Sequence, residues 1–180
     1  MHKYLFTAIL LVLINSCKKA EKMTFKTEKL GNVSFKIPSS FPLVKAKSID
    51  TEVYDIVSDK KIIGSIYRGM YYQPFVENYS LTAEKEIYDK VRSQETRIFY
   101  SRNFEQDYKN GIYNDNYYYY DTIHKNIAQV MLPKKGNKGL IGIYFDSIDI
   151  HKNKLAIISN DLSENNKKTF LEIFKTIEVK

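Results

Sequence analysis

Short runs of alternating apolar and polar residues, each soon closed by a turn-forming break, constrain this chain more than any other feature. Val33, Phe35 and Ile37 alternate with Ser34 and Lys36 until Pro38 ends the run, and residues two apart in a strand share one face. Residues 53–58 and 62–67 form two more β-rich runs, and the polar break Asp59, Lys60, Lys61 between them reads as a hairpin. Further strand patterns lie at 98–101, 117–122, 127–132, 140–145 and 155–159, with Asn110-Gly111 and the stretch 134–139 as turns. Two stretches follow a helical period instead. In the first, Thr82 is placed to cap a turn containing Glu84 and Glu86, with Ile87, Tyr88 and Val91 on one face and an end near 93–96. The second starts at Ser163, turns Phe170, Leu171, Phe174 and Ile177 inward, and gives way to a closing strand at 176–179. Strand runs with two inserted helices, and no regular βαβ alternation, predict an α+β fold: a mostly antiparallel β-sheet with two main helices packed on it.

The chain is long enough to hold such a sheet by burial alone. With 180 residues, 43% of them hydrophobic, it needs neither disulfides nor a structural metal. Seven glycines and four prolines exclude a collagen-like or Pro/Gly-rich disordered chain. Its one cysteine excludes a disulfide framework within the chain.

That cysteine follows a segment of a different kind. Lys3 precedes a mostly apolar run from Leu5 to Ile14, the layout of a secretory signal. The run is too short to span a bilayer, which takes about 20 residues. Directly after it, Ile14, Asn15, Ser16 and Cys17 resemble the lipobox of bacterial lipoproteins, with Asn15 in place of the usual Ala or Ser. The resemblance implies diacylglycerol on the Cys17 sulfur, cleavage just before Cys17, and further acylation by chains such as palmitate. Several chains make attachment durable where one binds reversibly. The expected organisation is a signal peptide over 1–16, acylated Cys17 and a tether over 17–23, and one α+β domain over 24–180. Lys18 and Lys19 carry no acidic sorting signal, so the expected address is the periplasmic face of the outer membrane. With Lys22 they also place positive charge beside the anchor, where anionic lipid attracts it.

The element order carries a second resemblance. The segment FKIPSSF at 35–41, the hairpin after it, the middle helix and the closing strand–turn–strand–helix–strand resemble the PsbP-like sandwich over residues 32–180. That fold includes DcrB-type periplasmic lipoproteins, and the resemblance implies a non-catalytic binding or accessory domain.

Candidate contact residues are mostly tyrosines. Tyr113, Tyr117, Tyr118, Tyr119 and Tyr120 lie among Asn and Asp residues. In a strand Tyr117 and Tyr119 face one way and Tyr118 and Tyr120 the other, so one pair is expected on the core and the other as an exposed platform for a sugar ring, peptide or aromatic ligand. Tyr71 and Tyr72 form a second candidate surface if their loop is exposed. A carrier would instead line a concave pocket with Tyr113, Tyr117, Tyr119 and Phe145.

Catalytic and metal patterns are sparse. His124 lies three residues after Asp121, and His151 two after Asp149. An Asp-x-His pair can share a ligand on a strand face, but nothing brings the two histidines together, and no metal or cofactor is expected. The chain has no G-x-S-x-G, and the basic loop 134–139 lacks the spacing of a phosphate loop and reads as a turn with solvated charges. A net charge of +7, spread among acids, does not mark nucleic-acid binding. The expected function is a membrane-anchored envelope lipoprotein with a non-catalytic, partner-binding or accessory domain, immunity-type proteins included. The alternatives are a small-ligand or glycan carrier and an envelope hydrolase without a recognisable motif.

Overall fold

The computed structural model describes residues 23–94, 97–136 and 138–180. Cys17, the signal segment and most of the expected tether lie outside the described residues.

Two sheets and one helix enclose the main core. Strand β1 (Phe25–Leu30) turns through Gly31, at φ 61°, into β2 (Val33–Pro38), and the last strand, β12 (Glu178–Val179), pairs with the other edge of β2. The larger sheet holds β3 (Leu43–Lys45), β4 (Glu52–Ser58), β5 (Lys61–Gly69), β8 (Asn116–Ile123), β9 (Asn126–Pro133), β10 (Ile141–Phe145) and β11 (Lys154–Ser159). Its order is β3-β4-β5-β11-β10-β9-β8, and every neighbouring pair is antiparallel.

The alternation seen in the sequence fixes which face each residue takes. Cross-strand register places Tyr119, Val130, Ile143, Ile157, Ile66 and Tyr54 in one row on the inner face. The next row, Tyr120, Gln129, Tyr144, Ala156, Tyr67 and Val53, lies on the outer face. Against the inner face pack Phe35 and Ile37 of β2 and Phe170, Ile173 and Phe174 of helix α3 (Glu164–Lys175). Ser163 caps that helix by accepting from the Asn166 backbone N–H, as its position predicts.

Two shorter helices lie elsewhere. α1 (Lys85–Val91) and α2 (Phe104–Lys109) bury none of their residues. α1 rests on a two-stranded parallel ribbon of β6 (Ser80–Thr82) and β7 (Ile98–Tyr100). The α+β class with a mostly antiparallel sheet therefore holds, while among the described residues the core-packed helix is α3 alone and there are three helices where two were expected. Thr82 ends β6 rather than capping α1: its hydroxyl accepts from the Glu84 N–H, and the N-cap position is Glu84. Two apolar turns suffice to suggest a helix, but with no large sheet beneath it α1 stays on the surface.

Two-residue turns close two of the hairpins. Asp59 and Lys60 join β4 to β5 at φ 48° and 64°, and His124 and Lys125 join β8 to β9 at 44° and 76°. Both positions positive is the turn whose twist matches paired strands, here made without glycine.

Candidate binding groove at one end of the sheet

The large sheet has two ends with different chemistry. At one end lie Met23, the Asp59-Lys60 turn and the start of α3, which share a cavity with Phe41, Lys61 and Asp161. The first described residue therefore enters the domain there. β5 spans nine residues, about 30 Å at 3.3 Å per residue, and its far end opens onto a groove of about 400 Å³.

Loops from three parts of the chain form that distal groove. Ile49, Asp50 and Thr51 come from the loop before β4, Met70 and Tyr71 from the segment after β5, and Asn153 from the loop before β11. Three large apolar side chains stand open on its rim: Ile49 is 97% exposed, Met70 54% and Tyr71 68%. Arg68 forms the base. Its Nη1 donates to Glu52 Oε2 at 2.8 Å, its Nη2 lies 3.7 Å from Asp149 Oδ2, and its buried Nε has no hydrogen-bond partner. The guanidinium lies flat against Gly31, where a Cβ would sit 2.7 Å from Nη2. Only glycine admits this packing, and it ties the small sheet to the floor of the groove.

Asp149 organises the loop that carries His151 and Asn153. It accepts from Asn153 Nδ2 at 2.8 Å and from the backbone N–H groups of Asn153 and His151 at 3.0 Å each. The Asn153 side chain, with those amides and Arg68, holds its carboxyl below the usual range. His151 is exposed. His124 sits in its hairpin turn with Nε2 3.0 Å from the Lys175 carbonyl oxygen. Among the described residues no group of three His, Cys, Asp or Glu side chains converges on a point.

The segment carrying Tyr71 is rooted on the outer face of the sheet. Tyr72 packs on Tyr67 with ring centroids 5.0 Å apart and on Tyr144 at 6.2 Å, and Phe75 meets Tyr144 edge-on at 6.1 Å. Buried Gln129 pins the chain there: the Phe75 N–H donates to its Oε1 at 2.7 Å, and its Nε2 donates to the Phe75 carbonyl at 3.0 Å. Burial, with the nearby Tyr67 hydroxyl, pushes the Tyr72 phenol up to about 12. Tyr144 moves further upward through burial and its hydroxyl's bond to Asp146 Oδ1 at 2.7 Å.

A second cavity, of about 340 Å³, lies under the same segment, between Phe75, Met131, Leu140 and Ile158 on one side and Glu77, Arg97, Asn116 and Tyr118 on the other. Most of its polar groups are committed to one another, while the buried Nε of Arg97 has no hydrogen-bond partner. Glu77 Oε1 accepts from the backbone and side chain of Asn116 at 2.9 and 3.1 Å, while Arg97 Nη2 bridges Glu77 and Asp115 at 3.0 and 3.1 Å.

The sequence candidates separate in space. Tyr71 lines the distal groove, and Tyr72 is the half-buried root beside it. Tyr113 stacks on Phe99 at 4.6 Å, with its hydroxyl donating to the Tyr100 carbonyl, in a distinct group with Tyr79. Tyr117 and Tyr119 point to the inner-face side of β8 and are 57% and 42% exposed, while Tyr120 on the other side is 71% exposed. Neither pair packs wholly on the core, because β8 is an edge strand that the core reaches only in part, at Tyr118 and Ile123. Phe145, offered as a pocket wall, is 1% exposed in the main core. The loop after β9 is less solvated than expected: Lys134 donates to the Gly111 carbonyl and Lys138 pairs with Asp115 at 2.9 Å. The sequence missed Arg68, Gln129, Glu77 and Arg97, whose partners lie on other strands or loops.

Together these elements define an α+β domain with a seven-stranded antiparallel sheet. No family model and no curated protein matches the chain. It is similar in structure to the solution structure of cyanobacterial PsbP (CyanoP) from Synechocystis sp. PCC 6803, with a TM-score of 0.44, 10% sequence identity, 93% of this chain covered and 99% of that one. Among the described residues no helix is long and apolar enough to cross a membrane.

Proposed function

We propose that this protein is an envelope lipoprotein, acylated at Cys17 and held at the periplasmic face of the outer membrane, whose domain binds a protein partner and catalyses no reaction. The observation that carries the binding part is the distal groove, where Ile49, Met70 and Tyr71 stand exposed around a polar base. An aromatic and aliphatic rim of this kind is what a partner's side chains desolvate on docking. Arg68 is engaged by Glu52 and Asp149 and packed on Gly31, which supports a positioning role for it. The anchor part rests on the lipobox resemblance around Cys17 and on the entry of the chain at the end opposite the groove.

Two measurements test the reading. Intact mass of the protein taken from its membrane should correspond to residues 17–180 plus acyl chains, and Cys17→Ser should abolish that species. Photocrosslinking in cells should yield one discrete adduct from Tyr71→benzoylphenylalanine and none from the same replacement at Lys36 on the small sheet. An unacylated mass sinks the anchor, and equal crosslinking at both positions sinks the groove. The apolar wall of the second cavity favours one alternative, a small-ligand carrier. Native mass spectrometry showing a bound small molecule lost in Met131→Glu would select it.

A further inference from the structure

The end of the domain nearest the anchor carries more than the chain's entry point. Besides Met23 and the Asp59-Lys60 turn, it presents the hairpin between β9 and β10, because β10 begins opposite the end of β11, which runs into α3. Gly136 of that hairpin lies next to Lys167 on the first turns of α3. The rim continues to the edge strand, where Lys134 Nζ sits 5.4 Å from the centre of the Tyr117 ring. Tyr108 at 65%, Ile112 at 56% and Tyr117 at 57% exposure stand beside it. Five strand spacings separate β4 from β8, so this surface is about 24 Å wide at 4.8 Å per strand.

We propose that this end is a lipid-facing surface that seats the domain on anionic phospholipid, an inference that rests on the Cys17 anchor proposed above. Met23 lies six residues on from Cys17, and six steps of about 3.5 Å reach at most about 21 Å. The rim is therefore confined to the neighbourhood of the headgroups, with the distal groove about 30 Å further out. Its chemistry matches that neighbourhood. Asp115 is already paired with Lys138 and Glu164 with Lys167, and among the described residues without an ion pair at this end Lys60, Lys61, Lys134 and Lys135 outnumber Asp59 and Asp161. Lysines at a negatively charged surface are attracted within a Debye length, about 8 Å at physiological salt. The Tyr117 ring beside Lys134 suits an interface, since it offers an apolar body and a hydroxyl that stays wet. The groove then points away from the membrane, and the outer sheet face stands across it.

Amine footprinting of the full protein, purified from its membrane and reconstituted in vesicles, tests the orientation. In vesicles with 30% phosphatidylglycerol, Lys60 and Lys135 should label at least about fivefold more slowly than in pure phosphatidylcholine, while Lys47 and Lys152 near the groove label equally in both. The double variant Lys134→Glu, Lys135→Glu should remove the protection of Lys60, as should 1 M salt. Unchanged labelling of Lys60 and Lys135 overturns the proposal, as does protection of Lys47 and Lys152 instead. Intact mass of the same sample reports the acyl chains separately, so a failed anchor and a failed lipid-facing surface give different results.

Discussion

Replacing Gln129 by leucine tests how the groove is held. Gln129 is 7% exposed and makes two hydrogen bonds to one peptide unit, through the N–H and C=O of Phe75. Leucine keeps much of the volume but removes both partners. Each buried backbone group left unpaired costs about 1–3 kcal/mol, so the loss of two partners is about 2–6 kcal/mol. Two routes can express it. If the segment stays on the sheet, the whole domain is destabilised and Tm falls by about 2–4 °C per kcal/mol for a domain of this size. If it peels away so that water reaches Phe75, global stability changes less and the opening becomes local. Both routes raise the population of states in which the Phe75 amide is open. A loss of about 2 kcal/mol corresponds to about 30-fold faster exchange. Hydrogen exchange followed by NMR, with a thermal melt in parallel, reads both routes. Phe75 exchange within threefold of wild type, at unchanged Tm, would refute the claim that Gln129 holds the segment and positions Tyr71.

Other expectations follow from single contacts. A Cβ at Gly64 would lie 2.6 Å from the Ile158 backbone oxygen, whereas at Gly142 it meets the tips of Met131 and Phe75 at 2.9 Å; Gly64→Ala should therefore cost about 3 kcal/mol and Gly142→Ala about 1 kcal/mol by denaturant unfolding. Lys125 sits at φ 76°, so Lys125→Gly should raise stability by about 0.5–1 kcal/mol, checked in the same assay. The hydrogen bond from Tyr144 lowers the Asp146 carboxyl below its ordinary value. Its contribution to stability is thus present above the unfolded carboxylate range and fades as pH falls through the folded value. Tyr144→Phe should move the Asp146 titration upward, as followed by NMR.

The inner face of the sheet was legible in the sequence because burial on one face imposes a period of two. Val33, Phe35 and Ile37 are all buried as their alternation requires, and Ser163 caps α3 where it was expected. The middle helix was legible as a helix but not as a surface element, since a local pattern does not say what lies beneath it. Helix α2 was missed because its six residues, FEQDYK, show no apolar stripe. The groove was legible only at Tyr71. Beyond the neighbours of Tyr71, its parts come from residues 45–52 and 153, which no spacing along the chain relates to it.

By itself, then, the sequence determined the α+β class, the alternation that selects the inner face, and the signal-like segment ending at Cys17, because each depends on residues close together in the chain. Tertiary structure decided the order of the strands, the edge position that leaves Tyr117, Tyr119 and Tyr120 open, and the meeting of Arg68 with Gly31, Glu52 and Asp149. Those outcomes depend on which strands become neighbours. That choice is made by packing across the whole core, where every pairing competes with every other and no local pattern carries the answer.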